Sequence, residues 1–186
     1  MKISFDLDSV IFDIEPLYKQ ANHEFGIEYK KATHWDLDKC YPNNVCTRLF
    51  ELFKDDSLYT MPIISQEYPA ILNNLLNNNN YEVFFVTQRR LQQPQKSFQQ
   101  LRNAGINCQY HQVYDKKMPK VEVLKEIKTD LHFDDGPHVV SDCLREGVNI
   151  AMISNDNTLY NHYLRPRVQY YQDLKTALIK TGIIER

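Results

Sequence analysis

Residues 2–13 read KISFDLDSVIFD, a short apolar run that leads into two carboxylates one residue apart. As a strand, this stretch places Ile3 and Phe5 on one face and Asp6 on the other. Burying unpaired acids at the end of an apolar strand is costly in free energy. Acids are favourable at the carboxyl end of a strand, in the crevice where open α/β sheets bind ligands. We therefore expect Asp6 and Asp8 to face a divalent cation there, with one aspartate serving as a nucleophile.

Length and composition indicate a globular protein. The 186 residues are 42% hydrophobic and 25% charged, which suits one domain or one domain with a sizeable insertion. The net charge of −2 gives no basic excess, so we expect no nucleic-acid polymer as a partner. No apolar run approaches the roughly 20 residues of a membrane span, so we expect no membrane partner. The four cysteines form no C-x-x-C pair and no secretory signal is evident, which favours a cytoplasmic protein with reduced thiols.

After residue 13 the apolar residues change to a helical spacing. Helices are predicted to begin at Pro16, at Asn43 or Asn44, and near Ser65. This part of the chain carries few strand signals. We interpret residues 14–64 as a small helical cap inserted after the first strand, and residues 1–13 and 65–186 as the core domain.

From residue 81 onward, predicted strands and helices alternate. The strands are predicted at 81–87, 108–113, 131–134 and 148–153. The helices are predicted at 93–104, 119–128, 137–146 and 173–181. Such alternation is typical of βαβ units with right-handed crossovers. The sequence therefore predicts an α/β fold, with a Rossmann-like parallel sheet flanked by helices.

Polar side chains follow three of the predicted strands or open a helix beside them. The set comprises Asp6, Asp8, Thr87, Gln88, Arg89, Lys116, Lys117, Lys120, Asp134 and Asp135. Because the carboxyl ends of parallel strands meet at one edge of a sheet, we expect these side chains to converge on one crevice.

This combination of residue types suits phosphoryl transfer. Carboxylates such as Asp6 and Asp134 are hard oxygen ligands for Mg²⁺, which also contacts phosphate. An aspartate nucleophile divides hydrolysis into two easier steps through an aspartyl-phosphate. A second carboxyl, Asp8, can protonate the leaving alkoxide and later take a proton from water. Thr87 and a lysine can hold the phosphoryl oxygens.

The same residues resemble the four motifs of the haloacid dehalogenase (HAD) superfamily of phosphohydrolases. The first motif, DxDx(V/T), is matched by DLDSV at residues 6–10, the second by Thr87, and the fourth by the pair Asp134 and Asp135. The resemblance implies that Asp6 is the nucleophile and Asp8 the acid and base. It also implies that Mg²⁺ is held by Asp6, by the backbone carbonyl of Asp8 and by Asp134.

The lysine of the third motif has more than one candidate. Lys120 is favoured because it opens a helix at the expected distance before the fourth motif, and Lys117 is the second choice. Lys116 stands in the same stretch and stays open as a candidate. Thr87, Gln88, Arg89 and the chosen lysine are expected to bind the substrate or its phosphate.

Finer features resemble the 5′(3′)-deoxyribonucleotidases and their bacterial and phage relatives. The similar segments are DLDSVIFD at the first strand, the T-x-R of Thr87 and Arg89, the HFDDGP of residues 132–137, and the pair Tyr160 and Asn161. One departure is Ser9, which stands where these nucleotidases carry glycine. The resemblance implies a Mg²⁺-dependent 5′-nucleotidase acting on (deoxy)nucleoside monophosphates.

Other interpretations stay open at this point. The protein can be a phosphatase for another small phosphorylated substrate or a nucleic-acid end, or a non-catalytic binding protein with this fold. Asp135 either caps the helix that starts at Pro137 or supports the metal ligands, and Asp13 is expected to cap the helix at Pro16. We expect Arg90 to be a solvated charge and His132 to be structural. The aromatic residues that either stack on a nucleobase or belong to the core are Tyr18, Phe25, Trp35 and Tyr41.

Overall fold

The computed structural model describes residues 1–34, 36–154 and 168–185. Its centre is a sheet with the strand order β3-β2-β1-β4-β5-β6, in which each neighbouring pair is parallel. The strands are β1 Lys2–Phe5, β2 Glu82–Thr87, β3 Val113–Asp115, β4 Leu131–Asp134, β5 Ile150–Ile153 and β6 Gln169–Tyr171. The helices are α1 Glu15–Glu24, α2 Asn43–Leu52, α3 Tyr68–Leu76, α4 Pro94–Asn103, α5 Lys120–Ile127, α6 Pro137–Glu146 and α7 Leu174–Lys180. The predicted α/β class with a parallel sheet is confirmed.

The central strands of the sheet are buried because they are mostly apolar on both faces. On one face, the ring of Phe5 stacks on Phe133 with centroids 5.1 Å apart. On the other face, Val86 and Met152 pack with the buried sides of α5 and α6. Parallel strands that are covered by helices on both faces have nearly continuous apolar sequences. This explains why the central strands could be predicted from the sequence.

Strand register brings three strand ends together. Phe5 pairs with Phe85 of β2 on one side and with Phe133 of β4 on the other. The residue that follows β1, Asp6, is therefore level with Asp134, the last residue of β4. From β1 the chain adds β2 and β3 on one side of the sheet and then β4, β5 and β6 on the other side. The strand order therefore reverses at β1. Open α/β sheets bind ligands at such a point.

The helical segment, residues 14–64, has a small core of its own. Leu17 and Ala21 of α1 pack there with Val45, Leu49 and Leu52 of α2. It leaves the sheet after β1 and returns beside the departing chain, where Asp13 N donates to Pro62 O and Ile64 N to Ile11 O. Its role as a cap stays a prediction.

Asp13 is predicted from the sequence to cap the first helix. Its side chain accepts the N–H of Glu15, the first residue of α1, although Asp13 stands one position before the N-cap residue.

Two details of the sheet differ from the sequence prediction. The strand predicted at 108–113 lies later, at Val113–Asp115. Its place is taken by a 3-10 turn at Tyr110–Gln112, which is closed by reciprocal hydrogen bonds between Gln109 and Gln112. Strand β6 was not predicted because it is short and polar and lies at the sheet edge.

In the part of the chain that is described, no helix is long and apolar enough to cross a membrane.

The turn after β1 contains a left-handed serine. Ser9 has φ 61°, and its N–H donates to Phe12 O at 2.8 Å. A left-handed backbone conformation raises the free energy of the folded state by about 1–2 kcal/mol for an L-residue. Glycine avoids this cost, but it also raises the conformational entropy of the unfolded chain, which offsets part of the gain.

We expect Ser9→Gly to raise the free energy of unfolding by about 0.5–1 kcal/mol, measured by urea denaturation. The matched control is Ser9→Ala, which keeps the Cβ and therefore the strain. An equal gain in both variants, or a loss in Ser9→Gly, would show that the turn does not strain Ser9.

Candidate active site

The ends of β1, β2 and β4 open into a cleft of about 1030 Å³ between the sheet and the helical segment. The core supplies Asp6, Asp8, Thr87 and Lys120 to its walls, among others, and the helical segment supplies aromatic side chains such as Phe53. A cleft of this size accommodates a small-molecule substrate.

Three carboxylates form an acidic cluster, Asp6, Asp134 and Asp135, at the base of the cleft. Each offers one oxygen, and these oxygens all lie within 4.8 Å of one another. Asp6 Oδ1 is buried and accepts no hydrogen bond of good geometry from the described residues, although Lys120 Nζ lies 2.9 Å from it. Several oxygens around one point, one of them short of a donor, suit a hard cation such as Mg²⁺.

Gly136 allows the fourth-motif chain to fold tightly around the cluster. Its N–H donates to Asp134 Oδ1 at 2.7 Å. A Cβ on this residue would meet the same oxygen at 3.0 Å, so a larger residue would require the carboxylate to shift by a few tenths of an ångström. Gly136 is also the N-cap of α6, which has no side-chain cap. Gly136, and not Asp135, is therefore the N-cap residue of this helix.

Lys120 lies inside the acidic cluster. Its buried ammonium is 2.9 Å from Asp6 Oδ1 and 2.6 Å from Asp134 Oδ2. Burial works against its charge, but Asp134 and Asp6 outweigh burial and raise the pKa of Lys120. The other two candidate lysines point elsewhere: Lys116 pairs with Glu126, and Lys117 is exposed. Of the three, Lys120 is the lysine that the fold brings to the carboxylates.

The acidic cluster holds more negative charge than one lysine balances. Burial, with help from Asp134 and Asp8, raises the pKa of Asp6 to about 7 in spite of Lys120. Burial and the neighbouring carboxylates Asp134 and Asp6 also raise the pKa of Asp135 well above its usual range. In Asp134 burial is outweighed by Lys120 and His132, which hold its pKa below the ordinary value. A divalent cation would stabilise the ionised forms of all three carboxylates.

Mg²⁺ binding is expected to weaken at acid pH. The ionised form of Asp6, which is the form that would bind the metal, prevails above a pKa of about 7 and is lost below it. Since Mg²⁺ competes with that proton, lowering the pH from about 8 to about 6 should weaken Mg²⁺ binding about tenfold, as measured by titration calorimetry. Asp6→Asn should lose this part of the pH dependence. Equal affinities at both pH values in the unmodified protein would contradict the assignment of Asp6 as a ligand.

His132 contacts the acidic cluster from within the sheet. Its Nε2 lies 3.0 Å from Asp134 Oδ2, and its Nδ1 lies 2.9 Å from Ser4 Oγ. His132 is predicted from the sequence to be structural, and its spacing of two residues from Asp134 on one strand is the signal that indicates this contact. The ring fixes the orientation of a carboxylate that is a candidate metal ligand.

The side chains at the end of β2 and in the loop that follows it point in different directions. Thr87 is buried at the strand end and lines the cleft. Gln88 also lines the cleft, but its Nε2 donates to the carbonyl of Met118 at 3.3 Å. Arg89 directs its guanidinium to Asp8, with Nη2 2.6 Å from Oδ1 and Nε 3.0 Å from Oδ2. Arg90 crosses to the helical segment, where its guanidinium lies 5.1 Å from the ring centroid of Phe50.

Sequence reasoning missed Asp115 and Gln100, which are both buried beside Arg89. Asp115 ends β3, and the misplaced strand prediction concealed it. Gln100 lies on the buried side of α4, and a polar residue among the apolar positions of that side was the signal that could have indicated its role.

Trp35, Tyr160 and Asn161 lie outside the described residues. Of the other aromatic candidates, Tyr18, Phe25 and Tyr41 are respectively half-buried, exposed and buried.

Comparison with known proteins relates this geometry to solved folds. No protein-family model matches the chain. A Bacillus cereus protein named "Putative nucleotidase" is 21% identical, and the match covers 97% of this chain and 99% of that relative.

Solved structures share the fold over nearly their full length. A haloacid dehalogenase-like family hydrolase from Streptococcus pneumoniae has a TM-score of 0.61 at 13% identity, covering 98% of this chain and 97% of its own. A structure titled "Putative Phosphatase" from Clostridium difficile has a TM-score of 0.62 at 14% identity, covering 98% of each chain. The HAD-like fold expected from the sequence is therefore confirmed.

Proposed function

We propose that this protein is a Mg²⁺-dependent phosphomonoester hydrolase that acts through an aspartyl-phosphate on Asp6, with nucleoside monophosphates as its substrates. The observation that carries the proposal is the position of Asp6. It lies beside Lys120 and two further carboxylates, and a second aspartate, Asp8, faces the same cleft. A HAD-like fold with these side chains at its strand ends supports the assignment.

Asp6, Asp134 and the backbone carbonyl of Asp8 would hold Mg²⁺, with Asp135 beside them. The bound ion supplies charge neutralisation, which lets an anionic carboxylate approach an anionic phosphate. Lys120 contributes a fixed positive charge to the same place, and Thr87 offers a hydroxyl to the phosphoryl oxygens.

The first chemical step forms a bond between an oxygen of Asp6 and phosphorus. The bond from phosphorus to the ester oxygen breaks, and that oxygen takes a proton from Asp8. In the second step Asp8 removes a proton from water, the water oxygen bonds to phosphorus, and the bond between phosphorus and the Asp6 oxygen breaks. This returns both aspartates to their starting forms and releases inorganic phosphate.

The nucleotide preference rests on other observations. The relative from Bacillus cereus is named a nucleotidase and matches along almost the whole chain. The helical segment lies over the cleft and contributes aromatic side chains such as Tyr18 and Phe53. An aromatic ring near the phosphate site suits a nucleobase. We propose that this segment is the cap that selects the organic part of the substrate.

A substrate panel with Mg²⁺ tests this proposal. The panel contains 5′- and 3′-nucleoside monophosphates, sugar phosphates and a 5′-phosphorylated oligonucleotide, and an Asp6→Asn preparation made in parallel detects contaminating phosphatases. The highest kcat/KM is expected for a nucleoside monophosphate. A higher value for a sugar phosphate or the oligonucleotide would overturn the substrate assignment. Mg²⁺ binding without turnover of any ester would point to a non-catalytic binding protein.

A further inference from the structure

Arg89 is a buried cation whose charge is directed at one carboxylate. Its side chain is only 1% exposed, whereas that of Asp8 is 21% exposed and faces the cleft. Nε donates to Asp8 Oδ2 at 3.0 Å and Nη2 to Asp8 Oδ1 at 2.6 Å. Such a bidentate pair fixes both oxygens of a carboxylate in one plane, which a lysine cannot do.

The far side of the guanidinium contacts α4 and the helical segment. Nη1 donates to Gln100 Oε1 at 2.8 Å and approaches Ser97 Oγ at 3.4 Å. The ring centroid of Tyr59 lies 4.9 Å from the guanidinium carbon. Each of the three guanidinium nitrogens therefore donates to a protein acceptor. The guanidinium binds Asp8 through two nitrogens and Gln100 through the third. It therefore does not join Thr87 and Lys120 in binding the phosphoryl group.

The backbone of Arg89 is fixed by β3. Its N–H donates to Asp115 Oδ1 at 3.3 Å, and Ser97 Oγ donates to Asp115 Oδ2 at 3.1 Å. Asp115 is buried, so its carboxylate holds both the start of the loop after β2 and the helix α4 that carries Ser97. β3 therefore fixes the backbone of Arg89, and α4 fixes its guanidinium.

Gln100 connects this arrangement to the helical segment. While its Oε1 accepts from Arg89, its Nε2 donates to Leu58 O at 3.3 Å and to Met61 O at 3.2 Å. These carbonyls lie where the helical segment returns to the sheet. The same place is held by an ion pair between Lys96 of α4 and Asp56.

We propose that Arg89 is a positioning residue that holds the Asp8 carboxylate in place for proton transfer, and that Gln100 ties this pair to the chain at Leu58 and Met61. The inference rests on the proposed function, in which Asp8 is the general acid and base. It gives Arg89 a role in the chemical step that is separate from binding phosphate.

The test compares Arg89→Lys in two backgrounds. In the otherwise unchanged protein, Arg89→Lys should lower kcat about 10–100-fold with little change in KM, because misplacing a general acid costs part of its contribution. The loss should be larger for an alkyl phosphate than for an aryl phosphate with an acidic leaving group, which needs less protonation. In an Asp8→Asn background the same substitution should cause no further loss.

The matched control is Arg102→Lys, since Arg102 is an exposed arginine of α4 that contacts Asn107. It should leave kcat and KM unchanged. Equal losses in both backgrounds, or equal losses for both leaving groups, would overturn the positioning role. Full activity of Asp8→Asn by itself would instead overturn the proposed function, so the two failures are distinguishable.

Gln100→Met tests the connection and also serves if Arg89→Lys does not fold, which circular dichroism would show. It removes the bonds to Arg89, Leu58 and Met61 while preserving the length of the side chain. A several-fold loss in kcat is expected, and it should vanish in the Asp8→Asn background. An unchanged kcat would overturn the role of Gln100, and a loss that persists in that background would overturn its link to Asp8.

Discussion

Asp6→Asn is expected to lower kcat for phosphate monoester hydrolysis by at least about 10⁴-fold, because it removes the proposed nucleophile. The substitution keeps the size of the side chain and removes a buried charge. Since burial raises the pKa of Asp6 to about 7, the metal-free variant should be at least as stable as the unmodified protein. Loss of activity without loss of stability separates a chemical role from a structural one.

The measurement is steady-state turnover of an aryl phosphate in Mg²⁺, with urea denaturation of the same preparations. Asp142→Asn is the matched control, because Asp142 lies away from the cleft and pairs with Arg145 on the surface of α6. The control should retain full activity. Turnover of Asp6→Asn within tenfold of the unmodified protein would contradict the nucleophile assignment.

Lys120→Met is expected to lower the free energy of unfolding of the metal-free protein by about 3 kcal/mol at neutral pH, because it leaves buried carboxylates without their partner. The cost should lie near the lower end of the range for broken buried pairs, since Asp6 can take up a proton. Activity should fall as well, because the fixed charge beside the phosphoryl group is lost. Lys117→Met, at an exposed position of the preceding loop, is the control and should change neither property.

Mg²⁺ should restore part of the stability of Lys120→Met, because the ion neutralises the same carboxylates and binds only the folded chain. Denaturation curves with and without Mg²⁺ measure this recovery. If Lys120→Met were as stable as Lys117→Met without metal, Lys120 would not be balancing the acidic cluster.

The sequence alone was sufficient to place the groups that follow strands. Asp6, Thr87 and Asp134 each end or follow an apolar run, and parallel pairing brings such ends together whatever the details of the core. It did not decide among the lysines, because Lys116, Lys117 and Lys120 stand within five residues of one another. Only the start of α5 determines which of them is directed inward.

The environment of Arg89 could not be predicted from local patterns. Its partners come from the loop after β1, from α4 and from β3, and a T-x-R motif does not show which acceptor the guanidinium meets. The contribution of β3 was further concealed because the capped turn at Tyr110–Gln112 replaced the start of the predicted strand. Side-chain direction here depends on tertiary packing, which a periodic pattern does not encode.

The proposed mechanism is tested most directly by trapping the phosphoryl group on the protein. A radiolabelled phosphate monoester is mixed with the Mg²⁺-loaded enzyme, the reaction is quenched in acid, and the digested protein is searched for labelled peptide. We expect the label on the peptide that contains Asp6, to be released by hydroxylamine as for an acyl phosphate, and to be absent from Asp6→Asn. Active enzyme that releases phosphate without ever labelling Asp6, or that labels another residue, would contradict an aspartyl-phosphate at this position.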